Sequence, residues 1–575
     1  MKDFTTDLCD SLLENLFNAN KNHHENLAIW KNHRNNPEIV LKMAFENMSI
    51  DQKYIFELVT KENNDSGRKI YMLAGLPGTG KSFLQTSINL FFQNAGKQVM
   101  CLAPTNLIAY QQKGTTIHKK IYSLCKNLNI KHFKCDSSFI EKLVKKKCND
   151  ICGLSLTQLC DYIKEILNEN GNLESFHSIL SKDIIILIDE GTMVSSILFS
   201  LLYYTYPNAT YVIMYGPNQL PPPVSVKGIN ISSCDYCISK EKEETILFYE
   251  LTSQMRFNSD NLIFIEYVQY LSHILSGKMT KETMNEKLEK LEYFFENLKY
   301  GGNLKDYNNL TGDSKRILIV STNQQRCQEN NERLHNEGSG PVYEIPTERP
   351  PTLPDSYDLP SRIGIDNVLR IRKDVYCIVR INDLCLQLIK GQIVKIIGII
   401  TNEKNEVVNI KVYNLDTKEF LTLSKMEIPT DFPDNKEECL TVRQFPITLS
   451  YSLTAHSAQG KTLNCNIGIK LKHYMNNINI NSYFVAITRV RDSKQLFMDN
   501  HPASLLHYDM NIKSIKDVEK LKKNLYDNHH HHHHDKFQNY VNNFEKKKLP
   551  LGDNDEMLID INNTSKKICR LLYDQ

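Results

Sequence analysis

Along the chain the apolar residues fall mostly into short unbroken runs separated by helix-patterned stretches. KIYMLAG, QVMCLA, DIIILIDE and ATYVIMY are runs of the first kind, and FLQTSINLFFQ, after the first of them, has helical spacing. Strands that are apolar on both faces and alternate with helices predict a parallel sheet covered on both sides. A helical stretch follows from about 255 to 300, and RILIVST then opens a second α/β unit. From 368 to 428 the runs VYCIVRI, QIVKIIGIIT, VVNIKVYN and FLTLSKMEI succeed one another without helices between them, which predicts a small barrel. Residues 337–362, rich in proline and poor in apolar residues, read as an exposed connector or inserted loop.

These patterns divide the chain. Residues 1–45 form a polar helical extension and 46–254 the first α/β domain, with a basic, cysteine-containing insert at about 119–180. Residues 255–336 and 446–510 are two parts of a second α/β domain, interrupted by the connector and β-rich insert at 337–445. Residues 511–575 form a low-complexity extension. A chain of 575 residues is indeed too long for one core.

Composition narrows the class. A hydrophobic content of 41% and a charged content of 24% are ordinary for a globular protein. No window supplies the ~18 or more apolar residues of a membrane helix, and MKDFTTDLCDSLLENLF has no secretory layout. The expectation is an intracellular protein with no membrane partner, and its 15 cysteines read as reduced thiols. Five of these (Cys125, Cys135, Cys148, Cys152, Cys160) crowd one region, and Cys234 and Cys237 form a CxxC. No second pair completes a zinc site, so packing is the plainer reading. The histidine run at 529–534 reads as a solvated linker, with metal binding as the alternative. The net charge of +2 hides a local excess: residues 113–147 carry ten lysines against Asp136 and Glu141. That run suits a polyanion or a solvated helix face equally well.

GLPGTGKS, Gly75 to Ser82, carries the strongest chemistry. It lies between an apolar strand and a helix, as a phosphate-cradling loop must. Its glycines let backbone N–H groups approach phosphate oxygens. Lys81 supplies a charge for the β- and γ-phosphates, and the Ser82 hydroxyl suits Mg²⁺. IIILIDE then brings Asp189 to the C-terminal end of a buried strand, where open α/β sheets bind ligands. Asp189 is suited to holding Mg²⁺ through water, and Glu190 to orienting or deprotonating the attacking water. An acidic pair after a strand is by itself commonplace. With the phosphate loop it forms the expected second half of a nucleoside triphosphatase, with Ser82 and Asp189 suited to Mg²⁺.

The remaining segments follow in an informative order: VMCLAPTNLIAYQQKGTTIHKKI, LIDEGTMV, YGPNQLPPP, LTSQMRF, FPITLSYSLTAHSAQGKTL and SYFVAITRVRD. This series resembles superfamily 1 DNA helicases, in the branch of the petite-integration-frequency helicases, the phage Dda helicase and RecD. The resemblance covers residues 50–498 and leaves out both tails and the 125–180 insert. It implies an α/β fold of two RecA-like domains with a small barrel insert and a wedge-type insert. It also implies a monomer that moves 5′-to-3′ on single-stranded DNA and unwinds tailed or forked duplexes in replication, repair or recombination, alongside a single-strand-binding protein or replication proteins.

Residue by residue, the resemblance implies that Gln52 reads the adenine edge and that Gly75, Leu76, Pro77, Gly78, Thr79, Gly80, Lys81, Ser82, Phe83 and Gly460 face the nucleotide. Gln219 would sense the γ-phosphate, while Arg256 and Arg489 reach it from the second domain. Pro104, Thr105, Thr116, His118, Thr454, His456, Gln459 and Thr462 match the segments that touch the strand. There are three departures. Tyr215-Gly216 stands where relatives carry Gly-Asp, Ser457 where they carry lysine, and Gly191-Thr192-Met193 follows the acidic pair. They motivate an alternative, a nucleotide-gated single-strand-binding ATPase that unwinds poorly. A fused relaxase or nuclease is a third reading, but no His triad with a tyrosine or carboxylate cluster supports it. The Asn-, Lys- and Ile-rich composition suits an AT-rich genome, such as that of a large DNA virus, and the expected site of action is the nucleus, or the host nucleus or cytoplasm for a viral protein.

Overall fold

The computed structural model describes residues 2–19, 33–61, 70–121, 165, 184–194, 196–206, 208–216, 246–254, 261–275, 284–310, 316–336, 338–383, 386, 388–415, 417–430, 440–460, 463, 465–471 and 480–499. The cysteine-rich insert, the Cys234–Cys237 pair, the histidine run and the C-terminal extension lie outside these residues.

The first sheet has six parallel strands: β1 (Ile70–Gly75), β2 (Gln98–Ala103), β3 (Thr115–Thr116), β4 (Ile184–Ile188), β5 (Thr210–Tyr215) and β6 (Ile246–Leu251), in the order β3-β2-β4-β5-β1-β6. The residues of β1, β4 and β5 are buried along their whole length, as their unbroken apolar sequences predict. Helix Lys81–Asn94 packs Leu84, Ile88 and Phe92 onto Tyr71, Leu73, Leu187 and Val212. β6 is not among the strands that the apolar runs predict. It pairs with β1 along its length and places Leu251 beside Gly75. The N-terminal helix, Lys2–Ala19, belongs to this core as well. Leu8, Cys9, Leu12, Leu13 and Leu16 recur at helical spacing, are buried, and all but Leu16 join a cluster with Val40, Ala44 and Leu90.

The second sheet is parallel, in the order Ser452–Thr454, Arg316–Val320, Asn466–Lys470, Leu496–Met498. Its core gathers Ile317, Ile319, Ile467 and Phe484 with helix Leu262–Leu275, and Leu76 of the phosphate loop packs against this core from the first domain.

Between the second-sheet strands lies an antiparallel sheet in the order Phe420–Ser424, Val407–Asn414, Ile393–Thr401, Tyr376–Val379, Ile447–Leu449. Its pairing is linear, so the expected barrel is an open five-stranded sheet here. A ribbon of Ser339–Pro346 and Val368–Lys373 contributes Ile345, Leu369 and Ile371 to its core. The expectation of a loop at 337–362 is thereby corrected. Residues 339–346 are a mostly exposed strand whose unpaired edge tolerates proline, and Leu353 and Leu359 are buried in a small cluster with Ile428 and Val442. Two buried arginines stitch this sheet to helix Asn323–Leu334. Arg326 donates to Asp366 Oδ1 and to Thr448 Oγ1, each at 3.3 Å. Arg380 Nε donates to the same Thr448 hydroxyl at 2.9 Å, leaving its buried NH2 without a partner among the described residues.

Candidate active site

The loop after β1 is held open by its backbone. Gly78 and Gly80 have φ of 92° and 75°, values that glycine adopts freely. Gly75 has no room for a side chain either, since a Cβ there would lie 2.5 Å from Thr79 Oγ1. Lys81 opens the following helix and turns its ammonium back over the loop, with Nζ 2.6 Å from Gly75 O and 3.0 Å from Leu76 O. The loop carbonyls thus hold the lysine at the mouth of the phosphate cradle.

β4 delivers Asp189 to this mouth. Its N–H donates to Leu102 O at 3.0 Å, which extends the β2–β4 pairing by one residue. Its Oδ1 accepts the Glu190 N–H at 2.8 Å. Its Oδ2 accepts from Ser82 Oγ at 3.3 Å and from Gln112 Nε2 at 3.1 Å. Burial pushes the carboxyl up to about 6, and the Glu190 charge adds to this. The Glu190 N–H, Lys81 and Ser82 act in the opposite direction. The hydroxyl of Ser82 and the carboxylate of Asp189 form the hard-oxygen pair that Mg²⁺ takes when most of its shell is water and phosphate. Among the described residues no group of three or more His, Cys, Asp or Glu gathers into an all-protein metal cage.

Glu190 sits at φ 48°, ψ 48°, a left-handed conformation rare outside glycine and common at functional sites. Its Oε2 accepts from Gln459 Nε2 at 3.2 Å. Gln459 comes from the far end of the chain, and beside it Gly460 has φ 75° and approaches Ile108 so closely that a Cβ would lie 2.8 Å from Ile108 Cδ1. Gln459 and Gly460 therefore join the two parallel-sheet domains at the acidic pair.

Gln52 is fully buried. Its Nε2 donates to Thr79 O at 2.9 Å and its Oε1 accepts the Ser49 N–H at 3.0 Å, so in this structure the amide braces the phosphate loop. Nothing in the sequence marks its neighbour Asp51 as special. Asp51 Oδ2 accepts the N–H groups of Thr252 at 2.7 Å and Ser253 at 3.1 Å, and Oδ1 accepts the Ser49 hydroxyl. Burial would raise this carboxyl, but the Ser49 hydroxyl and the Ser253 and Thr252 N–H groups outweigh it and hold it below the usual range. Arg489 is buried as well, with Nε on Val485 O at 2.8 Å and NH2 on Thr488 Oγ1 at 2.9 Å. Gln219, Arg256 and Thr462 lie outside the described residues.

The residues matched to strand contacts form two groups. Pro104 and Thr105 follow β2, and Thr105 caps helix Asn106–Gln111 by accepting the Ile108 N–H. Thr116 is buried and accepts the Lys119 N–H at 3.2 Å, while His118 is exposed. In the second domain Thr454 caps helix Ala455–Ala458, which carries the half-buried His456. Ser457, standing where relatives carry lysine, closes onto that cap through a 3.0 Å contact with Thr454 Oγ1. Gln112 gave no signal in the sequence, where it is one polar residue in a polar run. Only the approach of β2 to β4 brings it to Asp189.

Comparison with known proteins agrees with this geometry. Residues 61–225 match the family model described as AAA domain. The ATP-dependent DNA helicase Pif1 of Campylobacter jejuni is 23% identical over 474 residues, covering 76% of this chain and 92% of the relative. The fold matches Pif1 helicase from Candida albicans with a TM-score of 0.55 and 19% identity, over 84% of this chain and 99% of that one. It also matches Bacteroides Pif1 in complex with ADP-AlF3 and single-stranded DNA, with a TM-score of 0.53 and 17% identity, over 81% and 97% of the two chains. In sequence and in fold, the chain is similar to the Pif1 helicases.

Proposed function

We propose that the chain is an ATP-dependent DNA helicase that translocates 5′-to-3′ along a single strand and separates tailed or forked duplexes. The observation that carries this reading is the meeting of three elements. Ser82 from the phosphate loop, Asp189 and Glu190 just after β4, and Gln459 from the second domain are linked by hydrogen bonds, and Lys81 is held over the same loop by its carbonyls. Hydrolysis and the joint between the domains therefore share an atom, Glu190 Oε2.

The geometry supports the following roles. Lys81, released from the loop carbonyls by a triphosphate, neutralises the β- and γ-phosphate oxygens. Ser82 and Asp189 would hold Mg²⁺, which supplies charge neutralisation across the phosphates. Glu190 orients and deprotonates the attacking water, and Gln459 reports the state of that carboxylate to the second domain. Loss of the γ-phosphate frees the joint, and the domains shift relative to each other along the strand. We read residues 46–254 as the first motor domain and 255–336 with 446–510 as the second. Gln219, Arg256 and Arg489 are assigned to the γ-phosphate by resemblance, and the action of a monomer in the nucleus belongs to the same reading.

The test is strand displacement on duplexes bearing a 5′ or a 3′ single-stranded tail, with ATP and Mg²⁺. Unwinding from the 5′ tail alone is expected. Unwinding from the 3′ tail alone would overturn the polarity. ATP hydrolysis with no unwinding from either would favour the nucleotide-gated strand binder, which the Ser457 and Tyr215-Gly216 departures motivate.

A further inference from the structure

Helix Asn106–Gln111 is barely two turns long, and its residues and two caps touch three parts of the machine. At its N-cap, Thr105 belongs to the segment assigned to the single strand. Midway, Ile108 lies against Gly460 of the second domain. At its C-cap, Gln112 is buried and donates its amide to Oδ2 of Asp189 at 3.1 Å. The eight residues from Thr105 through Ile108 to Gln112 span about 10 Å.

The helix is fixed at both ends. Lys113 at φ 52° and the Gly114 N–H, which donates to Ala109 O at 2.7 Å, close its C-terminus. Gly114 then passes so near Cys101 that a Cβ would lie 2.3 Å from the Cys101 carbonyl oxygen. Next, β3 pairs Thr115 and Thr116 with β2. Thr105, Gln112 and Thr116 are thus parts of one short rigid unit, and a displacement at either threonine moves the amide that grips Asp189.

We propose that Gln112 is a positioning residue, one that transmits the seating of a single strand at Thr105 and Thr116 to the Asp189 carboxylate. Oδ1 is already held by the Glu190 N–H, so the Gln112 amide sets the remaining rotation of the carboxylate and leaves the Ser82 side of Oδ2 for a hydrated cation. This gives the first domain its own link between strand and cation, separate from the Gln459–Glu190 contact. The inference rests on the helicase reading above.

The experiment measures the affinity of a fluorescent ADP across a Mg²⁺ titration, with and without a thymidine oligonucleotide, in the full chain. Gln112→Met keeps the length and loses the donor, whereas Gln112→Asn keeps the amide and falls short by one methylene. In the unaltered protein the oligonucleotide is expected to lower the Mg²⁺ concentration at half-saturation. In both variants that concentration rises about tenfold, as for one lost hydrogen bond to a charged group, and the response to the oligonucleotide disappears. A Met variant that responds like the unaltered chain would overturn the proposal. So would a pair of variants that lower only the melting temperature, because packing alone would then account for Gln112. An unaltered chain that binds neither ADP nor the oligonucleotide would instead sink the helicase reading. One that binds both without a Mg²⁺ shift would sink only the role of Gln112.

Discussion

Gly460→Ala is the most informative single substitution at the joint between the two domains. Gly460 has φ 75°, where any other L-residue incurs a penalty of about 1–2 kcal/mol. The new methyl would also lie 2.8 Å from Ile108 Cδ1 and 3.1 Å from its Cγ1. Ile108 is buried in a small cluster with Ala103 and Ala109, so it has little space to retreat and the overlap adds about 1–2 kcal/mol. Together these penalise the arrangement in which Gln459 reaches Glu190 by about 3 kcal/mol, roughly a hundredfold in kcat/KM for DNA-stimulated ATP hydrolysis. Ile108→Val removes the Cδ1 atom and separates the two terms. Added to Gly460→Ala, it should recover about 1 kcal/mol of activity while leaving the backbone penalty in place. The assay is steady-state hydrolysis for both single variants and the double variant at saturating oligonucleotide. Full activity in Gly460→Ala, or strictly additive losses in the double variant, would refute the contact and the closure built on it.

Lys81→Ala should abolish hydrolysis and leave nucleotide-independent binding of a single strand measurable by fluorescence anisotropy. Asp189→Asn should also abolish hydrolysis and yet raise the melting temperature of the nucleotide-free protein at neutral pH, because the native carboxyl is ionised there against the pull of its burial. Asp51→Asn removes an acceptor shared by two backbone N–H groups and should cost about 1–3 kcal/mol. The folded-state pKa of Asp51 is depressed, so its contribution is complete above the ordinary carboxylate range near pH 4 and is lost as pH falls through the folded value. The gap in melting temperature between Asp51→Asn and the unaltered chain should therefore hold at neutral pH and narrow in acid. At the arginine seam, burial and the neighbouring Arg326 lower Arg380 to about 9. Arg380→Met should be close to neutral in chemical denaturation, whereas Asp366→Ala, which strips Arg326 of its carboxylate and removes a negative charge that steadies Arg380, should cost about 3 kcal/mol.

The parts of the site that could be read in the sequence are those whose chemistry is local. The phosphate loop declares itself through glycines at fixed spacing, and β4 through five apolar residues leading straight into Asp189 and Glu190. The sheet in which they sit was legible from unbroken apolar runs. What was not legible depends on contacts between distant positions. Gln112 meets Asp189 from 77 residues away, Asp51 meets Thr252 from 201, and Gln459 meets Glu190 from 269. The last pair could be anticipated only as membership of a resembling motif, not as a hydrogen bond. The N-terminal helix looked like a polar lead-in because its apolar residues cover only one face. β6 escapes the pattern because ILFYEL carries a glutamate and reads as a weaker strand than its neighbours.

The placement of β6 has a consequence for how the protein is made. β1, which bears the phosphate loop, lies between β5 and β6, and β6 is the last strand of its sheet in chain order. While the chain is being synthesised, β1 keeps one open hydrogen-bonding edge until residue 251 has left the ribosome, and open edges invite pairing with other nascent chains. Asp51 is waiting from the start and closes on Thr252 and Ser253 as soon as they emerge. The nucleotide cradle is thereby sealed late, by a latch set early, and a truncated product ending before residue 246 would expose the one strand the motor most needs to protect.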